Sequence, residues 1–515
     1  MVISVCTGAL CGLECDLVTV EVDISNGLPQ LDMSGSLSQE VREAQMRVRV
    51  ALKNAGIALP PQRITINLAP ASLHKEGNQY DLPIALAMLC ALGEIEQGRL
   101  ENVFIAGELG LDGEVKSIRG CLPMVLKARE LGIRECILPM ANLAEGRVVG
   151  GMELAGVGSL VEAMDYLGMK GAERQEFLNR GENVLPPAES GPEPDFGDIC
   201  GQEGMKRAME IAAAGFHNLI LIGPPGGGKT MAAKRLPGIL PPITEEEALE
   251  VSKIYSVAGL LNGGGLIRRR PFVAPHHSAM LQALAGGGRS PRPGLISRAH
   301  KGVLFLDEAV HFSSAALEVL RQPMEDKKVL IARSTASYEF PAEFMLVAAL
   351  NPCPCGNYPD PQRCRCSQEQ VRRYLGRLSG PLLDRIDLCV EMGRLSIKEY
   401  RLRKPGEKDG EYGSAAMRER VLRARKVQEE RFAACSISFN AQMGVNELQD
   451  FVRLSKEDQE YMDSVYESLH LSLRSYHRLL KVARTIADLD GRSDVGKEDI
   501  NEALCYRSVE DRYWG

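Results

Sequence analysis

Gly223-Pro-Pro-Gly-Gly-Gly-Lys229-Thr230 is the stretch on which the fold turns. It leaves Asn218-Leu-Ile-Leu-Ile222, an apolar run with the composition of a buried strand, and enters Met231-Ala-Ala-Lys-Arg-Leu236, a helical pattern. Strand, glycine loop and helix in that order are the context of a phosphate-binding loop. The segment Gly223, Pro224, Pro225, Gly226, Gly227 and Gly228 is expected to turn backbone N–H groups toward phosphates. Lys229 neutralises the β/γ charge, and the Thr230 hydroxyl ligates Mg²⁺ at the helix N-terminus. A plain glycine turn between strand and helix would keep the glycines but has no reason to demand Lys229-Thr230.

Downstream, Gly302-Val-Leu-Phe-Leu-Asp307-Glu308 reads as a buried strand ending in two carboxylates. Behind a phosphate-binding loop, Asp307 holds the Mg²⁺ shell and Glu308 orients the attacking water, because γ-phosphate hydrolysis is mostly positioning and charge stabilisation. Alone, the pair could be a solvated strand end. A third strand, Glu343 to Leu350, delivers Asn351 to its carboxyl end, where ligands of parallel sheets sit; the bland alternative is an Asn-Pro turn. In Ser379-Gly-Pro-Leu-Leu-Asp-Arg385-Ile-Asp-Leu388, Arg385 stands ahead of a strand over Ile386 to Met392, as a finger reaching a neighbouring subunit's nucleotide would. Arg474, opening a helix at Ser472-Leu-Arg474-Ser-Tyr-His-Arg478, is expected to report the γ-phosphate to a lid.

Together these motifs resemble an AAA+ ATPase of the helix-2-insert clade, near magnesium-chelatase subunits and MCM-type helicases, and most specifically the ComM/YifB family of Mg-chelatase-like ATPases. The resemblance is carried by Asp195-Phe-Gly-Asp-Ile-Cys-Gly-Gln202, Pro271-Phe-Val-Ala-Pro-His-His277, Gly286-Gly-Gly-Arg289, Asn351-Pro-Cys-Pro-Cys-Gly356 and Lys481-Val-Ala-Arg-Thr-Ile-Ala-Asp-Leu489, and it covers essentially the whole chain. It implies ATP and Mg²⁺ as cofactors and a homo-oligomeric ring, a hexamer by analogy. It also implies an α/β fold: a P-loop AAA+ core with a parallel sheet, an N-terminal α+β domain and a C-terminal all-helical lid.

At 515 residues the chain exceeds one ordinary core. The expected division is residues 1–168, a linker at 169–195, an ATPase core at 196–393 and a lid at 394–515. The longest apolar stretch, Leu82 to Leu92, is shorter than the roughly 20 residues a bilayer needs, and no basic leader with a cleavage site opens the sequence, so a cytoplasmic location is expected. A net charge of −7 provides no global attraction to nucleic acid. DNA contacts must come from local basic loops: Arg268-Arg-Arg270, His276-His277, Arg289, Arg292 and Lys327-Lys328. The alternative for these residues is a solvated face, or pairing with Glu245-Glu-Glu247.

Fourteen cysteines in such a chain read as thiols or metal ligands. Cys353-Pro-Cys355 and Cys364-Arg-Cys366 could close a tetrahedral thiolate site for structural Zn²⁺; inert buried cysteines are the alternative.

In the first 168 residues, Val18 to Ile24 and Arg63 to Leu68 alternate like half-buried strands, while Val41 to Ala55 and Asp81 to Leu92 read as helices. Lys75-Glu-Gly-Asn-Gln-Tyr-Asp-Leu82 and Gly107-Glu-Leu-Gly-Leu-Asp-Gly113 resemble the Lon-protease proteolytic fold. The catalytic dyad of that fold is a serine and a lysine. Asp81 and Pro123 stand where they belong, so a non-proteolytic relative is expected. Asp32-Met-Ser-Gly-Ser36 matches a metal-dependent adhesion motif, but Asn26 to Gln30 breaks the strand that should precede it. Pro186 to Pro194 reads as a semi-extended linker, and Lys404 to Gly413 as an exposed loop. Helices over Ser414 to Phe432, Ser455 to Gly491 and Val495 to Tyr506 make the lid.

Two functions follow. One is a ring motor on DNA, a helicase promoting branch migration in homologous recombination during natural transformation. The other is a chelatase-like or chaperone-like remodelling ATPase acting on a protein partner. The Lon-like domain and cysteine pairs favour the first; a nucleotide binder with little turnover is disfavoured by the complete set of carboxylates.

Overall fold

Val18, Val20 and Val22 alternate with more exposed residues, and this period of two builds the strand Glu14–Ser25. The computed structural model describes residues 2–180, 194–261, 265–288, 291–333, 337–394 and 410–514. Pro186 to Glu193, Arg289 and residues 404–409 of the expected loop lie outside them. Glu14–Ser25 pairs antiparallel with Ile3–Cys11 and with Arg63–Ala69. They belong to a mixed seven-stranded sheet ordered Gln30–Ser34, Arg63–Ala69, Glu14–Ser25, Ile3–Cys11, Val103–Ile105, Glu135–Pro139, Glu153–Val157. The helix Gln39–Asn54 starts where the Ser38 hydroxyl accepts the Val41 N–H. Asp81–Leu92 is buried from Asp81 through Cys90, which explains its nearly unbroken apolar sequence.

Asp81 accepts Arg47 Nε at 2.7 Å, Arg47 Nη2 at 2.9 Å and the Leu109 N–H at 3.2 Å. Pro123 sits in the first turn of Cys121–Glu130. One position is thus a scaffold ion pair and the other a helix-start residue. Asp32 lies on the Gln30–Ser34 strand, paired with Arg63 at 2.9 Å. The packed N-terminal unit also runs past the boundary read at 168. Helix Gly171–Leu178, inside the stretch read as linker, buries Phe177 with its ring 5.0 Å from Tyr166.

The second sheet has five strands, all parallel, ordered Phe272–Val273, Val303–Leu306, Met345–Leu350, Leu219–Ile222, Leu388–Glu391. Its three central strands are fully buried and apolar throughout, as expected for a sheet covered on both faces. Ser414–Arg431, Lys456–Ser468, Leu473–Leu489 and Lys497–Trp514 are the main helices of the lid. The last continues well beyond Tyr506: Tyr513 Oη donates to Glu391 at 2.9 Å and Trp514 Nε1 to the Leu375 carbonyl at 3.1 Å, tying the lid back to the core.

The N-terminal unit docks on the motor through helix Glu245–Ala258, which opens with a Thr244–Glu247 capping box. The Gly120 N–H donates to the Ser256 carbonyl at 3.1 Å, and the Ser256 hydroxyl donates to the buried Glu145 carboxylate. Beside them Leu13 packs with Ile254, Val257 and Phe340, the last from the hairpin Lys328–Ala332/Ser337–Pro341.

Candidate nucleotide-binding site

The strand Leu219–Ile222 ends in the glycine loop, and helix Lys229–Arg235 begins at its far end, so the loop forms a helix N-terminus. Gly228 takes φ 88°, a left-handed conformation that a side chain would resist. Lys229 Nζ donates to the Gly223 and Pro224 carbonyls at 2.6 and 3.0 Å and to Asn351 Oδ1 at 3.0 Å. Burial lowers the Lys229 pKa, with Asp307 and Glu308 opposing. Thr230 Oγ1 donates to Asp307 Oδ2 at 2.9 Å. These oxygens, a hydroxyl and a carboxylate, are the hard donors Mg²⁺ takes. Glu308 is exposed, with φ 51°, and its N–H donates to Asp307 Oδ1 at 3.1 Å. A non-glycine residue held there costs about 1–3 kcal/mol, a strain common at functional sites.

The parallel register explains the convergence. Leu306 and Leu350 end adjacent strands on the same sheet edge as Ile222, so Asp307, Asn351 and the loop meet there.

Arg385 stands elsewhere. Leu388 pairs with Leu219 and Glu391 with Ile222, so Arg385 precedes the amino end of its strand, while the loop follows the carboxyl end of its neighbour. Four strand residues separate the two edges by about 13 Å. Arg385 Nη2 pairs with Glu325 Oε1 at 2.6 Å, and Arg474 Nη2 reaches the same oxygen at 2.8 Å. Arg474, expected to report from the lid, is therefore grouped with Arg385 and not with Lys229. The backbone is fixed from both sides: Asn218 Nδ2 donates to the Arg385 carbonyl at 2.9 Å and Arg478 Nη1 to the Leu383 carbonyl at 3.0 Å. Hydrogen bonding from Arg385, and then from Arg474, holds the Glu325 carboxyl below its usual range. Glu325 carried no signal in the sequence, where Met-Glu-Asp-Lys reads as an ordinary helix end.

The four sulfurs of Cys353, Cys355, Cys364 and Cys366 all lie within 4.8 Å of one another. Cys353 Sγ is 3.3 Å from Cys355 Sγ and 3.8 Å from Cys364 Sγ. A tetrahedral site with metal–sulfur bonds of about 2.3 Å needs sulfurs about 3.8 Å apart, so the donor set fits a thiolate-bound metal. Hydrogen bonding by Asn357 lowers the Cys355 thiol to about 6, toward the ligating form, whereas burial pushes the Cys364 thiol up. Gly356 packs this knuckle against Pro225 of the glycine loop.

Of the basic candidates, Arg268 pairs with Glu245 at 2.6 Å. Arg270 is buried against Glu247 at 2.9 Å and donates to the Lys301 carbonyl at 2.8 Å. Both follow the pairing alternative. Lys328 is exposed and pairs with Glu339 at 2.9 Å. His276 is exposed, its ring tilted 33° against that of His277 with centroids 4.2 Å apart.

Three family models match the chain. Residues 195–400 match "Magnesium chelatase, subunit ChlI", residues 20–142 match "Subunit ChlI of Mg-chelatase" and residues 411–507 match the ChlI C-terminal model. The chain is 42% identical over 509 residues to competence protein ComM of Haemophilus influenzae, covering 97% of this chain and 96% of that protein. It is 41% identical over 510 residues to YifB of Escherichia coli, covering 98% and 96%.

The chain belongs to the ComM/YifB family of Mg-chelatase-like proteins.

The magnesium-chelatase 38 kDa subunit of Rhodobacter capsulatus is 28% identical over 189 residues, 33% of this chain and 54% of that subunit. ComM/YifB similarity thus extends through the N-terminal unit and the lid. The Mg-chelatase-like AAA+ core points to ATPase chemistry with Mg²⁺. No helix among the described residues is long and apolar enough to cross a membrane.

Proposed function

We propose that the chain is a DNA-acting ring motor, a homohexameric helicase that promotes branch migration in homologous recombination during natural transformation. The observation that supports the ring is the placement of Arg385 and Arg474 on the sheet edge opposite Lys229, away from their own copy's glycine loop, as residues serving another copy's nucleotide would be. In this reading ATP sits on residues 223–230 and Mg²⁺ on Thr230 and Asp307. Glu308 polarises the water and Asn351 orients it beside the γ-phosphate. Arg385 stabilises the charge that develops on the transferred phosphoryl group. The four cysteines hold structural Zn²⁺, since four protein ligands leave no open position for a substrate water.

Support for DNA comes from the exposed Arg333 that follows the strand Lys328–Ala332, and from the relative named for competence. A few such charges per subunit, multiplied by the ring, can grip a phosphate backbone. Remodelling of a protein partner is the second reading, favoured by the matched chelatase models. The test is ATP hydrolysis by wild type and Glu308→Gln with no nucleic acid, single strands or a four-way junction at fixed low salt. Turnover should rise with DNA and vanish in the variant. A rate indifferent to every DNA selects the remodelling function.

A further inference from the structure

Arg385 and Arg474 do not exhaust the cations on their edge. They line a cavity of about 380 Å³ between core and lid that also receives Lys327 and Lys481. Lys327, which the sequence grouped with DNA-facing residues, caps helix Arg321–Asp326 at φ 57° and lines this cavity. Its Nζ donates to the Met324 carbonyl at 2.9 Å, and Lys481 Nζ donates to the Ala441 carbonyl at 3.0 Å.

Among the described residues, neither ammonium has a carboxylate at ion-pair distance. Of the carboxylates lining the cavity, Glu325 is committed to both arginines and Asp387 to the Asn218 N–H at 3.0 Å and His217 at 3.4 Å, while Asp384 is exposed; Glu343 nearby is held by Lys301 and Gln442. Burial lowers the pKa of each lysine; for Lys481, Asp387 opposes this while Lys327 and Arg474 add to it. Each ammonium offers three donors and spends one on a carbonyl. Charge held out of water without a partner is costly, and an anion in the cavity would offset that cost. Five cationic side chains face three carboxylates there. One neighbouring carboxylate would leave half of that excess unmatched, whereas a polyphosphate carries enough charge and tetrahedral oxygens for several donors.

We propose that this cavity is a polyphosphate site in which Lys327 and Lys481, beside Arg385 and Arg474, engage the terminal phosphates of the nucleotide held by an adjoining copy. The assignment rests on the ring reading above and adds two positioning cations to it.

The experiment uses full-length Lys327→Met and Lys481→Met, which keep the apolar stems, with Arg385→Ala for comparison. ATPase kcat should fall on the order of a hundredfold in the lysine variants, while affinity for a fluorescent ATP analogue at the glycine loop stays within about twofold of wild type. Mixing each variant with Glu308→Gln copies, which lack their own hydrolysis but present intact lysines, should restore turnover. Wild-type kcat in both lysine variants while Arg385→Ala is inactive would overturn the lysine assignment and leave the ring intact. Lysine variants that stay inactive in mixtures that rescue Arg385→Ala overturn it too, because those lysines then serve their own copy. Failure of Arg385→Ala itself to be rescued sinks the ring reading. Thermal melting monitors folding, and should a methionine variant not fold, Lys→Arg and Lys→Gln replace it: activity retained only by Lys→Arg supports the site, and equal activity in both rejects it.

Discussion

Gly356→Ala is a small change with a large expected effect on nucleotide affinity. Gly356 has φ 76°, and a Cβ built there lies 2.4 Å from Pro225 Cδ and 2.8 Å from Pro225 Cγ. Alanine in the left-handed region costs about 1–2 kcal/mol. Carbon contacts are comfortable at about 3.5–4.0 Å, so knuckle and glycine loop must part by roughly 1 Å. A displacement of about 1 Å at a positioning element can cost about a hundredfold, equivalent to about 2.7 kcal/mol. Titration with a fluorescent ADP analogue should therefore show Kd weakened by about ten- to a hundredfold. Gly93→Ala is the matched control, since Gly93 also has a left-handed φ of 85° but nothing within 4 Å of its Cβ. It should lose similar stability and bind nucleotide normally. If Gly356→Ala binds within about twofold of Gly93→Ala, the knuckle does not support the loop and the reasoning is refuted.

Purified protein should retain about one equivalent of zinc, and Cys364→Ser or strong chelation should remove it and weaken nucleotide binding, because Cys353 lies two residues beyond Asn351; full affinity without metal would count against the coupling. Arg47→Met leaves the buried Asp81 carboxylate unpaired and should destabilise the protein by about 3–5 kcal/mol in denaturant unfolding. Most of that loss should be recovered in the Arg47→Met/Asp81→Asn double variant. Burial raises the Glu145 carboxyl, opposed by hydrogen bonds from Ser256, Asn142 and Leu122. The folded state then holds a proton the unfolded chain releases, so Glu145's contribution is greatest below the ordinary value of 4.5 and declines as pH rises through the folded value. Melting temperatures of wild type relative to Glu145→Gln should drop from pH 4.5 upward, and a constant difference across that range would reject the assignment.

The ATPase core was legible because its chemistry is written locally. A glycine loop between strand and helix, two carboxylates after an apolar run and an asparagine after another each need only neighbouring residues to declare themselves. The order of three buried strands then follows from which ends must meet. The cysteine pairs were legible for the same reason, since ligand type and spacing are local properties. The end of the last helix is not legible in the sequence, because Arg507 to Trp514 is too polar to signal a buried face. Only its contacts with Glu391 and Leu375 show that it continues.

By itself, then, the sequence determined the glycine loop between strand and helix, the carboxylates after the next apolar run, the fold class and the family. Tertiary structure alone decided that Arg385 and Arg474 share Glu325 on the edge away from Lys229, that Lys327 and Lys481 join them in one cavity, and that the N-terminal unit grips helix Glu245–Ala258 through Glu145 and Ser256. The physical reason is separation along the chain: Glu325 and Arg474 lie 149 residues apart, and Glu145 and Ser256 lie 111 apart. A charge or hydroxyl bears no local mark of the partner that sheet order and lid packing will bring to it.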